Sequence, residues 1–534
     1  MERQMFAFPQ IFPQRQRPRS LSSAFIDSVG LIPAVFSDTR FSVLLATGLF
    51  YLTVSILLRI VLFFIFAAPT TSVIVLFPTV GLGVINDLVT LLAILSPLSL
   101  YLFILPGKFH QSVIGRIILA GIIWAVFFAM LYLAVIQYYF FKEFNARFNL
   151  VAVDYLLYPH EVFGNIVASY HVFSFLIIVA VYASVMVILY WNKLKKTSIS
   201  QQPLSRRAGW LTVHTVLTVL CLSFFSTHSL DFSQNRIVNE ISADGISSFF
   251  EALHTNHLDY NALYRTGDSQ VLSSLLKKEL ATDTSRTQAN GSDINRVSTG
   301  SGNGLGKLNV VVIVEESFGC EQVDACGQGL DIDAAVATSS VRLTPSFDEL
   351  AKQGLFFNKA YATGTRTVRG LEAITASFPP IPSESIVKRP GNDRIATWGK
   401  IMQEKGYHTS FLYGGFSQFD NMKPFYADNG YAVSDRLDIE HPRFTNIWGV
   451  SDQDLFDHAR AYFDQRAATG APFFSIIMTT SNHSPYTFPV GIDGVRPHGG
   501  SRLDGIRYAD YALGEFFKKS KNAPWYENTL FVVV

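Results

Sequence analysis

The sequence predicts two halves: a multi-pass α-helical membrane domain of five spans, then an extracytoplasmic α/β domain with a mainly parallel sheet. Three observations carry this expectation. Apolar residues concentrate before residue 228 in five long runs. Lys and Arg crowd into alternate connections between those runs. Beyond residue 307, short β-branched runs alternate with amphipathic helical stretches.

The runs are 41–67, 82–105, 117–140, 168–192 and 209–227. Each approaches the ~20 residues that cross a bilayer core. The 534-residue chain is 49% hydrophobic and only 16% charged, which is apolar for a soluble protein. Buried helices of a large soluble protein are the competing reading, and runs this long with so few charges argue against it.

Orientation follows from basic residues, which accumulate on cytoplasmic connections. Residues 1–40 carry Arg3, Arg15, Arg17, Arg19 and Arg40. The second-to-third connection carries Lys108 and Arg116, and the fourth-to-fifth carries Lys193, Lys195, Lys196, Arg206 and Arg207. The other connections hold Lys142 and Arg147. Segment 1–40 is therefore expected in the cytoplasm, spans at 41–227 in the cell (inner) membrane, and everything past residue 228 in the extracytoplasmic (periplasmic) space. The first apolar run starts too late for a cleavable signal peptide, so the first span serves as the insertion signal. A net charge of +1 gives no whole-chain nucleic-acid footprint.

Two charges lie within the apolar half, Arg59 and Asp87. The topology puts both in the outer leaflet. Charges at that depth pair or line a pathway, so an ion pair is expected, with a lipid-headgroup contact as the alternative.

Residues 228–306 read as juxtamembrane helices and a polar linker. Ile246, Phe249, Phe250, Leu253 and Leu258 recur at near-helical spacing, which suits a membrane surface or packing on the outer domain. "TDTSRTQANGSDINRVSTGSGNGLG" is too polar to build a core. The second domain spans 307–534. "NVVVIV" (309–314) has the continuous β-branched pattern of a strand buried on both faces. "TPSFDELAKQG" (344–354) is a helix with Thr344 as N-cap, Pro345 first and Gly354 past the end. "ATWGKIMQEKG" (396–406) is a second helix, and 407–413, 473–480 and 529–534 are strands. Strands alternating with helices predict a parallel sheet, whose ligand site lies beyond the carboxyl ends of its strands.

Polar clusters stand at those ends. "NVVVIV" runs into Glu315, Glu316 and Ser317, and "FFSIIMTT" into Ser481, Asn482 and His483. Between them in sequence, Thr367 sits between Arg366 and Arg369, with Gly364 and Gly370 outside them. A carboxylate, a hydroxyl and a histidine at one sheet edge suit a hard or borderline metal cation. Such a metal lowers a hydroxyl's pKa and makes it a nucleophile. Flanking arginines suit a phosphoryl or sulfuryl group. Taken singly, each residue has a plainer role: a solvated cap, a structural histidine, exposed arginines. Cys320 and Cys326 form a small loop-closing disulfide or remain two free thiols.

These residues resemble the lipoteichoic acid synthase-type phosphoglycerol transferases of the sulfatase and alkaline phosphatase superfamily. "NVVVIVEESFG" resembles the first metal motif and points to Glu316. "TPSFDELAKQGLFFNKAYATGTRT" resembles the approach to the nucleophile and points to Thr367, and "MTTSNHSPY" resembles the substrate-binding histidine motif and points to His483. The resemblance implies a sulfatase/alkaline-phosphatase-like fold and a divalent metal, Mn2+ first with Mg2+ or Zn2+ as alternatives, held by Glu316 and Thr367. It implies that Thr367 attacks the headgroup phosphate of phosphatidylglycerol and that a glycan or glycolipid hydroxyl accepts the phosphoglycerol, with Arg366, Arg369 and His483 binding substrate. "SFPPI" (377–381) lacks the Arg of a C/S-x-P-x-R formylglycine site, which favours phosphotransfer over sulfate hydrolysis.

The chain departs from the family twice. Where the lipoteichoic acid enzymes carry a His, a Trp and an Arg, "YGGFSQFDNM" offers Tyr413, Phe419, Asp420 and Asn421, so acceptor or headgroup differs. The family's metal-binding Asp-His pair follows a late strand, which here is 529–534; the pair is expected beyond Val534, the given chain being truncated or else a pseudoenzyme. A hydrolase of the same fold and a non-catalytic envelope protein that binds lipid or glycan are the alternative functions. The few intramembrane charges and lack of a repeat disfavour a transporter.

Overall fold

A computed structural model describes residues 40–534 except 158, 200–201, 226–229, 255–264, 282–284, 288–295, 299–305, 327–341 and 379–383. The chain divides into two compact units, one of residues 1–149 and 173–251, the other of 150–172 and 252–534. The connection after the third apolar helix thus belongs to the second unit, although in sequence it lies inside the 41–227 half.

In the first unit, five helices are long and apolar enough to cross a membrane: Ser42–Ala67, Val73–Ile104, Val113–Phe144, Val172–Thr197 and Leu204–Phe224. Several outrun the apolar runs of the sequence, because flanking residues such as Lys142 and Lys193 continue the helical hydrogen bonding after the hydropathy falls. Phe50, Leu91, Leu95, Ile123 and Phe127 form a buried seam, joined from the juxtamembrane helix Gly245–His254 by half-buried Ile246. Phe250 and Leu253 of that helix are exposed, and Leu258 lies outside the described residues.

Arg59 and Asp87 are both fully buried and ion-paired. Asp87 Oδ1 accepts from Arg59 Nη2 at 2.8 Å. The same guanidinium donates to the carbonyls of Ile241, Ser242 and Ala243, each at 3.2 Å. Next in the chain, Asp244 accepts from Thr90 (2.9 Å), from Tyr51, and from the amides of Ile246 and Ser247 (3.0 and 2.9 Å). A buried charge is tolerable only when paired and hydrogen-bonded, and this network supplies both conditions. Zero exposure leaves Arg59 no surface for a lipid headgroup.

The second unit is built on a five-stranded sheet: β1 Asn309–Val314, β2 His408–Tyr413, β3 Ala432–Ser434, β4 Phe473–Met478 and β5 Thr529–Val533. The order is β3-β2-β4-β1-β5 and every pairing is parallel. Strand residues alternate between two cores. Val311, Ile313, Leu412 and Ile477 face one layer with Leu455, Phe463, Leu513 and Phe516. Val310, Val312, Phe411, Phe474 and Ile476 face the other with Leu371, Phe425 and Tyr426. Both faces are therefore covered, which is why these strands read as unbroken apolar runs.

Three local expectations change. The 529–534 stretch reads as a buried strand, but β5 lies at the sheet edge and Leu530 is 51% exposed. The three-residue β3, "AVS", is too short to give a period. Helix Pro345–Gln353 starts after Thr344 without a side-chain cap from it. Asp510 takes the first amides instead, from Ser346 at 3.0 Å and Phe347 at 2.7 Å. Within the polar linker, Ser285–Thr287 pairs antiparallel with Arg296–Ser298.

Candidate active site

Adjacent strands β1 and β4 run in the same direction, with Val314 beside Met478. The residues after each strand, Glu315–Ser317 and Thr479–His483, therefore emerge at one edge. The amide of Glu316 donates to Thr479 Oγ1 at 2.9 Å. The Asn482 side-chain amide donates to the carbonyls of Glu316 and Ser317 at 3.1 and 2.9 Å. Ser317 has φ +55°, a left-handed conformation unfavourable for a residue with a Cβ, and these bonds hold the turn. Just beyond it, Cys320 and Cys326 are joined, Cα–Cα 5.7 Å.

The turn presents the Glu316 carboxylate to three partners. Ser317 Oγ donates to Oε1 at 2.8 Å. His483 Nε2 lies 3.4 Å from Oε1. Thr367 Oγ1 donates to Oε2 at 2.9 Å. Thr367 and His483, distant from Glu316 and from each other in sequence, thus meet at one carboxylate.

Thr367 is the first residue of the helix Thr367–Ala376, and Arg366 before it is extended. The first amides of a helix have no intrahelical partner and carry the positive end of its dipole, which favours an anion beside Thr367. Buried Glu372, one turn on, fixes this helix. It accepts from Arg369 Nη1 (2.9 Å), Ser385 Oγ (2.9 Å) and the amide of Ile386 (2.7 Å). Gly364 lets the approaching chain pass Arg369, since a Cβ there would lie 2.7 Å from Arg369 Cβ.

The arginines are not simply exposed cations. Arg369 is paired with Glu372. Arg366 Nη1 lies 3.2 Å from Asp154 Oδ2 and its Nη2 3.8 Å from Asp420 Oδ2. Lys388 Nζ bridges the same two carboxylates at 2.9 and 2.8 Å. On the other side of the site, Trp448 stacks on His483, and Phe419 meets Trp448 edge-on with centroids 6.1 Å apart. Tyr413 is buried, and burial together with the charge of Glu316 raises its hydroxyl pKa.

Behind the site, Glu315 turns inward. Burial and then the charge of Asp452 push its carboxyl well above the usual carboxylate range. Burial likewise pushes Asp452 up to about 6, although its Oδ1 accepts from the amides of Thr480 and Ser481 at 3.0 and 3.1 Å. Glu315 Oε1 and Asp452 Oδ2 have no hydrogen-bond partner among the described residues.

Residues 308–534 match the family model described as Sulfatase. They form a sulfatase-family domain. Phosphoglycerol transferase I of Citrobacter koseri is 25% identical over 210 residues, covering 36% of this chain and 27% of that protein. Lipoteichoic acid synthase 1 of Bacillus subtilis is 22% identical over 482 residues, covering 85% of this chain and 68% of that protein. A crystal structure of an alkaline phosphatase superfamily protein from Vibrio parahaemolyticus shares 34% identity with a TM-score of 0.43, covering 52% of this chain and 64% of that one. The chain thus spans about a quarter of the length of the first of these relatives.

Within the sulfatase-family domain, Glu316 and Thr367 offer two oxygens to a divalent cation, and His483 a nitrogen. No group of three or more His, Cys, Asp or Glu side chains is arranged to hold a metal ion among the described residues. The donor set falls short of the four to six or more ligands that Zn2+, Mg2+ or a comparable ion takes. Sequence reading placed Asn482 at the strand end without a role, and missed Asp154, Lys388, Asp452 and Trp448. Asp154 left a trace, as the one charge in the apolar helix "LVAVDYLL". The others sit in ordinary polar surroundings and gain meaning only from neighbours distant in sequence.

Proposed function

We propose that this protein transfers phosphoglycerol, or a related headgroup, from a membrane phospholipid to an acceptor hydroxyl through a covalent intermediate on Thr367. The observation that carries this reading is the Thr367 hydroxyl donating to the Glu316 carboxylate at 2.9 Å. The relatives' names supply the group transferred, and phosphatidylglycerol is the donor that contains it. The acceptor is a glycan or glycolipid. The crowding of basic residues into alternate connections supports a sulfatase-family domain on the outer side of the membrane, with the N-terminus cytoplasmic.

Glu316 takes the proton as Thr367 Oγ1 attacks the phosphorus, so the nucleophile develops negative charge beside an acceptor already aligned with it. The bond from phosphorus to the diacylglycerol oxygen breaks. His483, next to Glu316, is the group we assign to protonate that leaving oxygen. In the second step His483, left neutral by the first, takes the acceptor hydroxyl's proton as that oxygen attacks phosphorus; the bond from phosphorus to Thr367 Oγ1 breaks, and Glu316 returns its proton to that oxygen. The amides at the start of the Thr367 helix, with Arg366 and Arg369, stabilise the phosphoryl oxygens. A divalent cation, Mn2+ foremost, would take Glu316 and Thr367 as two of its ligands, with further donors needed to complete its shell, and would lower the hydroxyl's pKa.

The test uses the full chain in phosphatidylglycerol bilayers with an isotopically labelled headgroup. A phosphoglycerol mass increment on the peptide containing Thr367, lost in Thr367→Ala, is expected. No increment in the unaltered protein overturns the reading. An increment followed by release only to water identifies a hydrolase instead.

A further inference from the structure

Leu150–Val172 belongs to the same compact unit as the sulfatase-family domain, although in sequence it connects the third and fourth apolar helices. It reaches that domain at two separate points. Asp154 Oδ2 lies 3.2 Å from Arg366 Nη1 and 2.9 Å from Lys388 Nζ. Gly164 abuts Ile447, such that a Cβ there would lie 2.6 Å from Ile447 Cδ1. Arg366 immediately precedes Thr367, and Ile447 immediately precedes Trp448, the residue stacked on His483. One connecting segment therefore touches both sides of the candidate site.

We propose that this segment is a working part of the site and that Asp154 is a positioning residue for Thr367. The inference rests on the transferase reading for its kinetic consequence, but its geometry does not. Asp154 and Lys388 are nearly buried, with side chains 7% and 6% exposed. Asp420, 5% exposed, completes an alternating square of two carboxylates and two cations. Desolvated charges hold such an arrangement only while each has its counter-charge. Within the square, Asp154 is the carboxylate nearer to Arg366, 3.2 Å against 3.8 Å for Asp420. It fixes the guanidinium, and through it the extended backbone of Arg366 that starts the Thr367 helix. Among the described residues Asp154 pairs with Arg366 and Lys388 and not with Thr367 or Glu316, so its effect is on alignment and not on proton transfer. A site aligned this way depends on chain lying between two membrane helices in sequence, which a fragment beginning near residue 307 would lack.

The full-length protein in phosphatidylglycerol bilayers tests this with Asp154→Asn, Asp154→Glu and the double variant Asp154→Asn/Lys388→Gln. The double variant removes the cation that Asp154→Asn leaves undercompensated, and so separates misalignment from failure to fold. Two readouts are taken: adduct formation per titratable Thr367, and amide hydrogen exchange of peptides spanning residues 364–372. Misplacing a reacting group by about 1 Å through a contact outside the chemistry can cost on the order of a hundredfold in rate. Asp154→Asn and the double variant should lose that much in rate with little change in the lipid concentration for half-saturation, and Asp154→Glu should recover part of it. Exchange at 364–372 should rise in the first two variants and stay near the unaltered value in the third. Unchanged exchange and rate in Asp154→Asn overturn the proposal. Equal loss in all three with exchange raised throughout the domain also overturns it, since that marks a purely structural residue. If the unaltered protein forms no adduct, the transferase reading falls, and the exchange experiment alone decides the role of Asp154.

Discussion

The indole of Trp448 stacks on the imidazole of His483, ring centroids 4.5 Å apart and planes 23° from parallel. The indole N–H donates to the carbonyl of Ser484 at 2.7 Å, so the ring is tied to the backbone beside the histidine it covers. The stack sets the plane in which His483 meets Glu316.

Replacing Trp448 should therefore act through His483. A stacked aromatic pair contributes about 0.5–1.5 kcal/mol beyond its buried area. Trp448→Ala should lower the rate of adduct formation roughly 2- to 10-fold. Trp448→Phe keeps a ring over the imidazole and loses only the bond to Ser484, so most of the rate should remain. Equal losses in the two variants would show that the backbone tie matters and the stack does not.

Asp452 makes a pH prediction. Its folded-state pKa is raised from 3.8 to about 6 by burial, so the native protein holds this proton more tightly than the unfolded chain. Stability then falls as pH rises between about 4 and 6, and the full penalty is present above 6. Asp452→Asn keeps an oxygen to accept from Thr480 and Ser481 and removes the charge, which also relieves Glu315. The variant should be more stable at pH 7.5 by on the order of 1–3 kcal/mol and nearly equal at pH 4. Melting temperatures of the two proteins across this range check it. A constant difference at every pH would mean that the carboxyl titrates alike in the folded and the unfolded chain.

In the membrane half, Arg59→Ala leaves Asp87 buried without its cation and frees the carbonyls of Ile241, Ser242 and Ala243. Breaking one side of a buried pair costs on the order of 3–5 kcal/mol. Arg59→Leu/Asp87→Leu should recover part of this, because no charge is stranded, but not all, because the carbonyls still lose a donor. Thermal unfolding in detergent compares them. A double variant no better than Arg59→Ala would assign the whole cost to the carbonyl contacts.

The chemistry of the site was legible wherever it followed a strand. A parallel sheet puts the carboxyl ends of its strands at one edge, so the clusters after "NVVVIV" and "FFSIIMTT" could be placed from periodicity, and the resemblance singled out Glu316 and His483 within them. Thr367 was marked by its arginines, but what those arginines bind was not, because Arg366 pairs with a carboxylate 212 residues away.

By itself the sequence determined the five apolar helices, the alternation that makes a parallel sheet, and the residue types collected at its edge. These are local properties, set by side-chain spacing against the backbone's own periods. Only the tertiary structure decided that Asp154, written among the membrane helices, belongs to the sulfatase-family unit, that Trp448 covers His483, and that Asp510 rather than Thr344 caps the Pro345 helix. Each of these is a contact between segments distant in the chain, where packing and the need to compensate buried charge select the partner. No local pattern records that choice.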